Sequence, residues 1–286
     1  MILYSDRWEG VKEMLIDVHT HVGGDKLGFF MTEDMLLKEM EKYHIDYCIV
    51  SNGDSVEFDH KFNSIPAELQ VSQKDSFLRT IQFARENPGK IGIMPWIKPS
   101  TEEMDEELEQ LIRKNLDIVK GIKVHPYHSK TFFHSDKMDA YVELAQKYEL
   151  PVMSHTGGCE EADAKYVYEM ALRYPKVNFI MAHMGLGTDN KEAIELMEKA
   201  ENLYADTAWV PISSTIEIIK RVGSKRVFFG SDSPIDGIDT YDNNGKGESS
   251  VYRDYFFKLE EMIGEEAYKD LMYRNAMEFF KIKLSV

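Results

Sequence analysis

Short apolar runs and longer amphipathic stretches alternate along most of this chain. Leu15-Ile16-Asp17-Val18-His19-Thr20-His21 opens the series as a strand, and the turn residues Val22-Gly23-Gly24-Asp25 end it. From Thr32 to Tyr43 the positions Met35, Leu36, Met40 and Tyr43 recur at helical spacing behind a Thr32 cap, which completes one β-then-α unit. Asp46-Tyr47-Cys48-Ile49-Val50-Ser51 predicts a second strand. After a polar stretch from Asn52 to Val71, a helix runs from Ser72 to Glu86 and stops at Asn87-Pro88-Gly89, which cannot continue it.

The pattern then repeats. Strands are predicted over 91–96, 121–126, 151–157, 177–185, 203–207 and 226–234, with helices over 101–116, 136–148, 162–173, 191–200 and 213–222 between them. Residues 235–250, rich in Asp, Gly and Asn, read as a loop over one mouth of the fold, and helical residues 251–280 follow. Eight strands alternating with helices predict a closed parallel (β/α)8 barrel, a TIM barrel. It forms a single domain over 1–286, with 1–14 as a lead-in and 251–286 as closing helices. An open doubly wound sheet is the competitor, but Gly23-Gly24 follows two histidines and lacks the spacing of a phosphate-binding turn.

Composition narrows the partners. With 286 residues and 43% hydrophobic content the chain can bury a sizeable core. No apolar run reaches the roughly 18 residues of a membrane span, and the start lacks the features of a signal peptide, so a cytoplasmic protein is expected. Two cysteines, Cys48 and Cys159, provide no disulfide framework. A net charge of −16 argues against a nucleic-acid partner and leaves a small anionic substrate open. Self-association is left open.

The predicted strands end in chemistry-bearing residues. In an extended segment His19 and His21 share a face, so both imidazoles can chelate one ion. His125, His155, His183 and Asp232 stand at the ends of the fourth, fifth, sixth and eighth strands, and in a barrel those ends converge at the face where the chemistry lies. His183 reads as a catalytic or water-orienting group. Lys123 precedes His125 on the same strand face, and only one of them is expected at the metal level. His44, His60, His128 and His134 are assigned solvated surface roles, and Cys159 a packing role. Trp96 and Trp209 are pocket walls or core residues. The segment 52–71 is a lid or an ordinary loop; as a lid, it would bring Lys61 to a substrate carboxylate.

These motifs together resemble the amidohydrolase superfamily. They are Asp17-Val18-His19-Thr20-His21, Gly121-Ile122-Lys123-Val124-His125-Pro126, Leu150 to Gly157, Ala182-His183-Met184-Gly185 and Phe229-Gly230-Ser231-Asp232-Ser233-Pro234. The nearest branch is the amidohydrolase-related group that includes aminocarboxymuconate-semialdehyde decarboxylase, and Arg274-Asn275-Ala276 is similar to its closing helix. The resemblance implies one divalent metal, commonly zinc, on His19, His21, His155 and Asp232, with His183 assisting its water. Other branches place a carbamylated lysine on strand four. Here His125 stands two residues beyond Lys123, which favours one ion over two and leaves both residues as substrate-binding or second-metal candidates.

A metal so held lowers the pKa of bound water toward neutrality. The expected activity is hydrolysis of an amide, ester or lactone of a small substrate, with or without a carboxylate of its own, with Asp232 taking the proton and His183 orienting the water or steadying the oxyanion. A lyase that decarboxylates or hydrates an unsaturated acid is the alternative. A non-catalytic metal-binding protein is a third reading.

Overall fold

Strands β1 (Ile16–Val22), β2 (Tyr47–Asn52) and β3 (Ile91–Ile93) pair side by side in parallel. So do β4 (Ile122–Val124), β5 (Val152–Gly157), β6 (Phe179–Leu186), β7 (Leu203–Asp206) and β8 (Val227–Phe228). Two seams join these arcs into a ring. Between β3 and β4, the Lys120 N–H donates to Ile93 O at 2.8 Å and the Lys123 N–H to Pro95 O at 2.9 Å. Between β8 and β1, the Val18 N–H reaches Phe229 O at 3.0 Å and the His21 N–H reaches Ser233 O at 2.7 Å. The computed structural model, which describes residues 14–24, 27–28, 30–234 and 251–284, is therefore the closed (β/α)8 barrel that the alternation predicts. The lead-in up to residue 13 and the loop 235–250 lie outside the described residues.

The outer ring of helices forms where the sequence places caps. Helix α1 (Glu33–Tyr43) starts at Thr32, whose side chain accepts from the Met35 N–H, with Glu33 and Asp34 in its positive first turn. Helices α2 (Gln73–Glu86) and α3 (Glu106–Lys114) follow. The sequence predicts α3 from residue 101, but the Thr101 N–H and hydroxyl both donate to the Glu57 carboxylate at 2.7 Å, so the helix starts later, at an Asp105 cap. A one-turn helix α4 (Pro126–Ser129), α5 (Asp139–Lys147), α6 (Ala164–Arg173), α7 (Lys191–Lys199) and α8 (Ile212–Val222) complete the alternation. The chain closes with α9 (Val251–Phe257), α10 (Leu259–Ile263), α11 (Glu265–Lys269), a π-turn over Asp270–Arg274 and α12 (Asn275–Phe279). No described helix is long and apolar enough to cross a membrane.

Apolar side chains pack in two layers. Leu15, Cys48, Val50, Ile93, Val124 and Met181 lie between strands and helices, whereas Ile16, Val18, Ile49, Met153, Ile180 and Phe228 fill the barrel. Ala276, Phe280 and Ile282 from the last segment pack onto that interior, so one end of the barrel is plugged with apolar groups. The candidate functional residues gather at the opposite, C-terminal end of the strands. The sequence predicts β8 over 226–234, but regular pairing stops at Phe228. The Phe229 N–H donates instead to Leu271 O in the π-turn, at 3.0 Å.

Candidate metal centre and substrate cavity

A bulge in β1 positions the first two donors. Asp17 pairs with Cys48 but Thr20 pairs with Val50, so one extra residue is inserted between them. Ile16 and Val18 face the barrel interior, and the insertion turns His19 and His21 inward as well while Thr20 bonds outward to Ile49 O at 2.9 Å. Across the seam, the Asp232 N–H donates to His19 O at 2.8 Å, with Asp232 in the left-handed region at φ +66°. Asp232 Oδ1 then lies 2.9 Å from His21 Nε2 and 3.2 Å from His19 Nε2. The three donor atoms are close enough together to hold one ion.

The outer nitrogens are already committed. His21 Nδ1 is 2.9 Å from Ser51 Oγ, and His19 Nδ1 is 2.6 Å from Asp206 Oδ2, so both Nε2 atoms are directed at the shared carboxylate. Burial, reinforced by the Lys123 ammonium, pushes His19 down to about 4, and burial also lowers His21. Neutral imidazole is the form a metal requires. Burial pushes the Asp232 carboxyl up, but the rings of His19, His21 and His183 outweigh it and hold it well below the usual range. Lys123, pushed down to about 8 by burial against Asp232 and Asp206, places its Nζ 2.7 Å from His19 Nε2.

The remaining strand-end residues surround this centre. His183, at φ +69°, has its ring 5.0 Å from that of His19 and 4.7 Å from that of His155, with Nδ1 at 3.1 Å from Ala208 O. His155 Nε2 lies 3.2 Å from Gly157 O, and its buried Nδ1 has no partner. His155 stacks at 4.0 Å on His125, which stacks at 5.0 Å on Trp96. His125 Nδ1 is likewise buried and unpartnered. His19, His21 and Asp232 are thus brought together as one donor set, with His155 beside them in the ring stack. Lys123 and His125 both reach the site, contrary to the expectation that only one would.

A cavity of about 310 Å3 opens from His21, Asp232 and His155. Trp96, His125, Tyr127 and His128 form an aromatic wall, and Met31, Val56 and Leu186 are apolar. Two histidines assigned to the surface belong here. His128 is buried, with Nδ1 at 2.7 Å from Phe58 O, and His60 lines the cavity 5.1 Å from its ring. The 52–71 segment explains both positions, because the Glu57 and Phe58 N–H groups donate to His128 O and Tyr127 Oη donates to His60 O. The segment is a wall pinned to α4, and Lys61 is exposed and not among the lining residues. Trp209 and Cys159 do not line the cavity either.

Asp206 was not singled out in the sequence. It is fully buried at the end of β7, and besides His19 it accepts the backbone N–H groups of His183 at 2.9 Å and Ala208 at 3.2 Å. The signal that could have found it is the one that found Asp232, a carboxylate closing a predicted strand.

The donor set suits a divalent ion: two neutral imidazoles and an ionised carboxylate converge, with an unpartnered buried nitrogen on His155 nearby. A parallel barrel with this centre at its C-terminal rim defines a TIM-barrel enzyme of the metal-dependent class. The sequence model of the family described as Amidohydrolase matches residues 16–282, and the chain belongs to that family. No curated protein sequence matches the chain significantly.

Solved structures share the fold at low identity. A 5-carboxyvanillate decarboxylase from Sphingomonas paucimobilis superposes with a TM-score of 0.70 at 12% identity, covering 95% of this chain and 100% of that one. A 2,6-dihydroxybenzoate decarboxylase from Rhizobium gives 0.63 at 15%, covering 94% and 99%. A dihydroxybenzoic acid decarboxylase from Polaromonas sp. JS666, with bound manganese and the inhibitor 2-nitroresorcinol, gives 0.65 at 14%, covering 96% and 98%.

Proposed function

We propose that this chain is a metal-dependent decarboxylase of a small carboxylic acid built on an aromatic or conjugated ring. The observation that carries the reading is the opening of the His19, His21 and Asp232 set onto a cavity walled by Trp96, His125, Tyr127 and His128. Among the described residues that line it there is no Lys or Arg, so the metal end is where a carboxylate finds positive charge. The decarboxylase neighbours, which act on ring acids by their names, support the lyase reading over the hydrolysis that the sequence favoured.

His19 Nε2, His21 Nε2 and Asp232 would hold the ion, with His155 as a further ligand. When bound, the ion supplies Lewis-acid charge that anchors the substrate's oxygens and draws electron density from the ring. The flat walls then hold the ring against Trp96 and His125. Asp232, ionised at rest, takes a proton from solvent and passes it to the carbon bearing the carboxylate. The carbon–carboxylate bond breaks, its electron pair restores the ring, carbon dioxide leaves, and Asp232 is left ionised as before, one solvent proton having been consumed. His183 donates its Nδ1 proton to Ala208 O, which leaves Nε2 to accept a hydrogen bond from a substrate hydroxyl.

The test is a product assay. Protein purified without added metal is analysed for bound elements, reloaded separately with manganese and zinc, and offered hydroxybenzoates, unsaturated acids, amides, esters and lactones. Carbon dioxide release with the decarboxylated ring as product is expected. A hydrolysed product without carbon dioxide would overturn the reading.

A further inference from the structure

The geometry points to Asp206 as the positioning residue of the centre: its carboxylate dictates which nitrogen of His19 carries the proton and, through its other oxygen, fixes the backbone from which His183 projects. The consequence for metal affinity rests on the reading given above, whereas the assignment of the proton does not.

Asp206 stands on β7 and His19 on β1, and β8 lies between them in the ring. The 2.6 Å contact from Asp206 Oδ2 to His19 Nδ1 therefore crosses a strand. Gly230 is what allows the crossing. A Cβ at Gly230 would lie 3.0 Å from His19 Cβ and 3.2 Å from Asp206 Cβ, so even an alanine there requires the pair to give by a few tenths of an ångström.

An ionised carboxylate only accepts hydrogen bonds, so at 2.6 Å the proton belongs to His19 Nδ1. A neutral imidazole carries one N–H, which leaves the lone pair on Nε2. A second contact requires the same tautomer, because Lys123 Nζ has only donors to offer and lies 2.7 Å from His19 Nε2. The lone pair then faces the side of the ring where Asp232 Oδ1 lies at 3.2 Å.

The other oxygen acts on β6. Asp206 Oδ1 accepts the His183 N–H at 2.9 Å, and Asn190 Nδ2 donates to His183 O at 3.3 Å. These bonds hold His183 at φ +69°, a left-handed conformation that a non-glycine residue keeps only when its surroundings demand it. One buried acid thus ties His19 at the metal end and His183 on β6 to each other.

Nitrogen-15 NMR of histidine-labelled, metal-free protein reads the tautomer directly, with His19→Gln assigning the signal. The wild type is expected to show His19 protonated at Nδ1 and bare at Nε2. In Asp206→Asn the amide oxygen can still accept from His183 and Ala208, but the amide NH2 faces His19 Nδ1 and forces the proton to Nε2. Affinity for manganese and for zinc is then expected to fall by roughly 10- to 100-fold, as for other residues that orient a ligand. Gly230→Ala, which crowds both residues while leaving their own side chains unchanged, is expected to lengthen the contact and shift the tautomer in the same direction. A wild-type His19 protonated at Nε2 would overturn the assignment even if neither variant folds. An Asp206→Asn protein with a flipped tautomer and unchanged manganese affinity would overturn the positioning role. A wild type that binds neither ion would overturn the metal reading instead, and the tautomer would still decide the case for Asp206.

Discussion

Ser231 donates its backbone N–H to one oxygen of the Asp17 carboxyl at 3.1 Å and its hydroxyl to the other at 2.5 Å, so the residue before Asp232 is fastened to the residue two before His19. The same carboxyl accepts the His19 N–H at 3.0 Å. Asp17 is fully buried and, on the outward face of β1, takes no part in the cavity. Asp17→Ala is expected to leave two buried backbone donors without an acceptor and to cost on the order of 2–6 kcal/mol. Denaturant unfolding checks the loss, and a stability within about 0.5 kcal/mol of wild type would refute the role of this clamp.

Asp232→Asn preserves shape and removes the proposed proton carrier. Turnover is expected to drop by roughly 10²- to 10⁴-fold with circular dichroism unchanged. Turnover at the wild-type rate would show that the proton comes from elsewhere.

Glu57 gives the fold a pH dependence of its own, away from the metal donors. Burial pushes its carboxyl up to about 7 against the two Thr101 donors and the nearby Lys98. A carboxyl whose folded pKa exceeds its unfolded value is favoured in the protonated form, so its stabilising contribution is full below about pH 4.5 and is lost as pH rises through about 7. The loss is at most about 3 kcal/mol. Glu57→Gln keeps an acceptor for Thr101 and is expected to flatten the difference between denaturation midpoints at pH 5 and pH 8. An unchanged difference would assign the dependence to other groups.

Removing the ion should loosen the barrel rim. Chelator-treated protein is expected to melt at lower temperature than protein reloaded with manganese or zinc. A thousandfold excess over the dissociation constant adds about 4 kcal/mol to the folded state. Identical melting curves with and without either ion would argue against a site built into the fold.

Trp96→Leu removes the face that lies parallel to His125 at 5.0 Å and 11°. An aromatic pair is worth about 0.5–1.5 kcal/mol beyond area, so KM for a ring acid should rise roughly 2- to 10-fold with kcat less affected. A fall in kcat at constant KM would place Trp96 in the chemistry instead.

The barrel and the candidate metal donors were legible because their determinants are local. Alternating runs define the strands, and His19, His21, His155, His183 and Asp232 are reactive types standing where those runs end. The bulge between Asp17 and Thr20 was not legible, since it exists only in the pairing of β1 with β2. His128 illustrates the same limit from the other side. Its sequence neighbours say helix or loop, and what buries it is a segment some 70 positions earlier that hydrogen-bonds to its backbone. Asp206 was within reach of the rule that found Asp232, but its partner His19 is 187 positions away and Gly230, which admits the contact, has no side chain to notice.

The Leu271 carbonyl that receives the Phe229 N–H lies in the π-turn over Asp270–Arg274. It completes the strand leading to Asp232, whose nearest imidazoles are among the first residues described. At the Phe229 N–H the last wall of the ring is therefore supported by that turn rather than by a neighbouring strand, and a substitution that displaced the turn would reach the rim that carries Asp232 from outside the cavity.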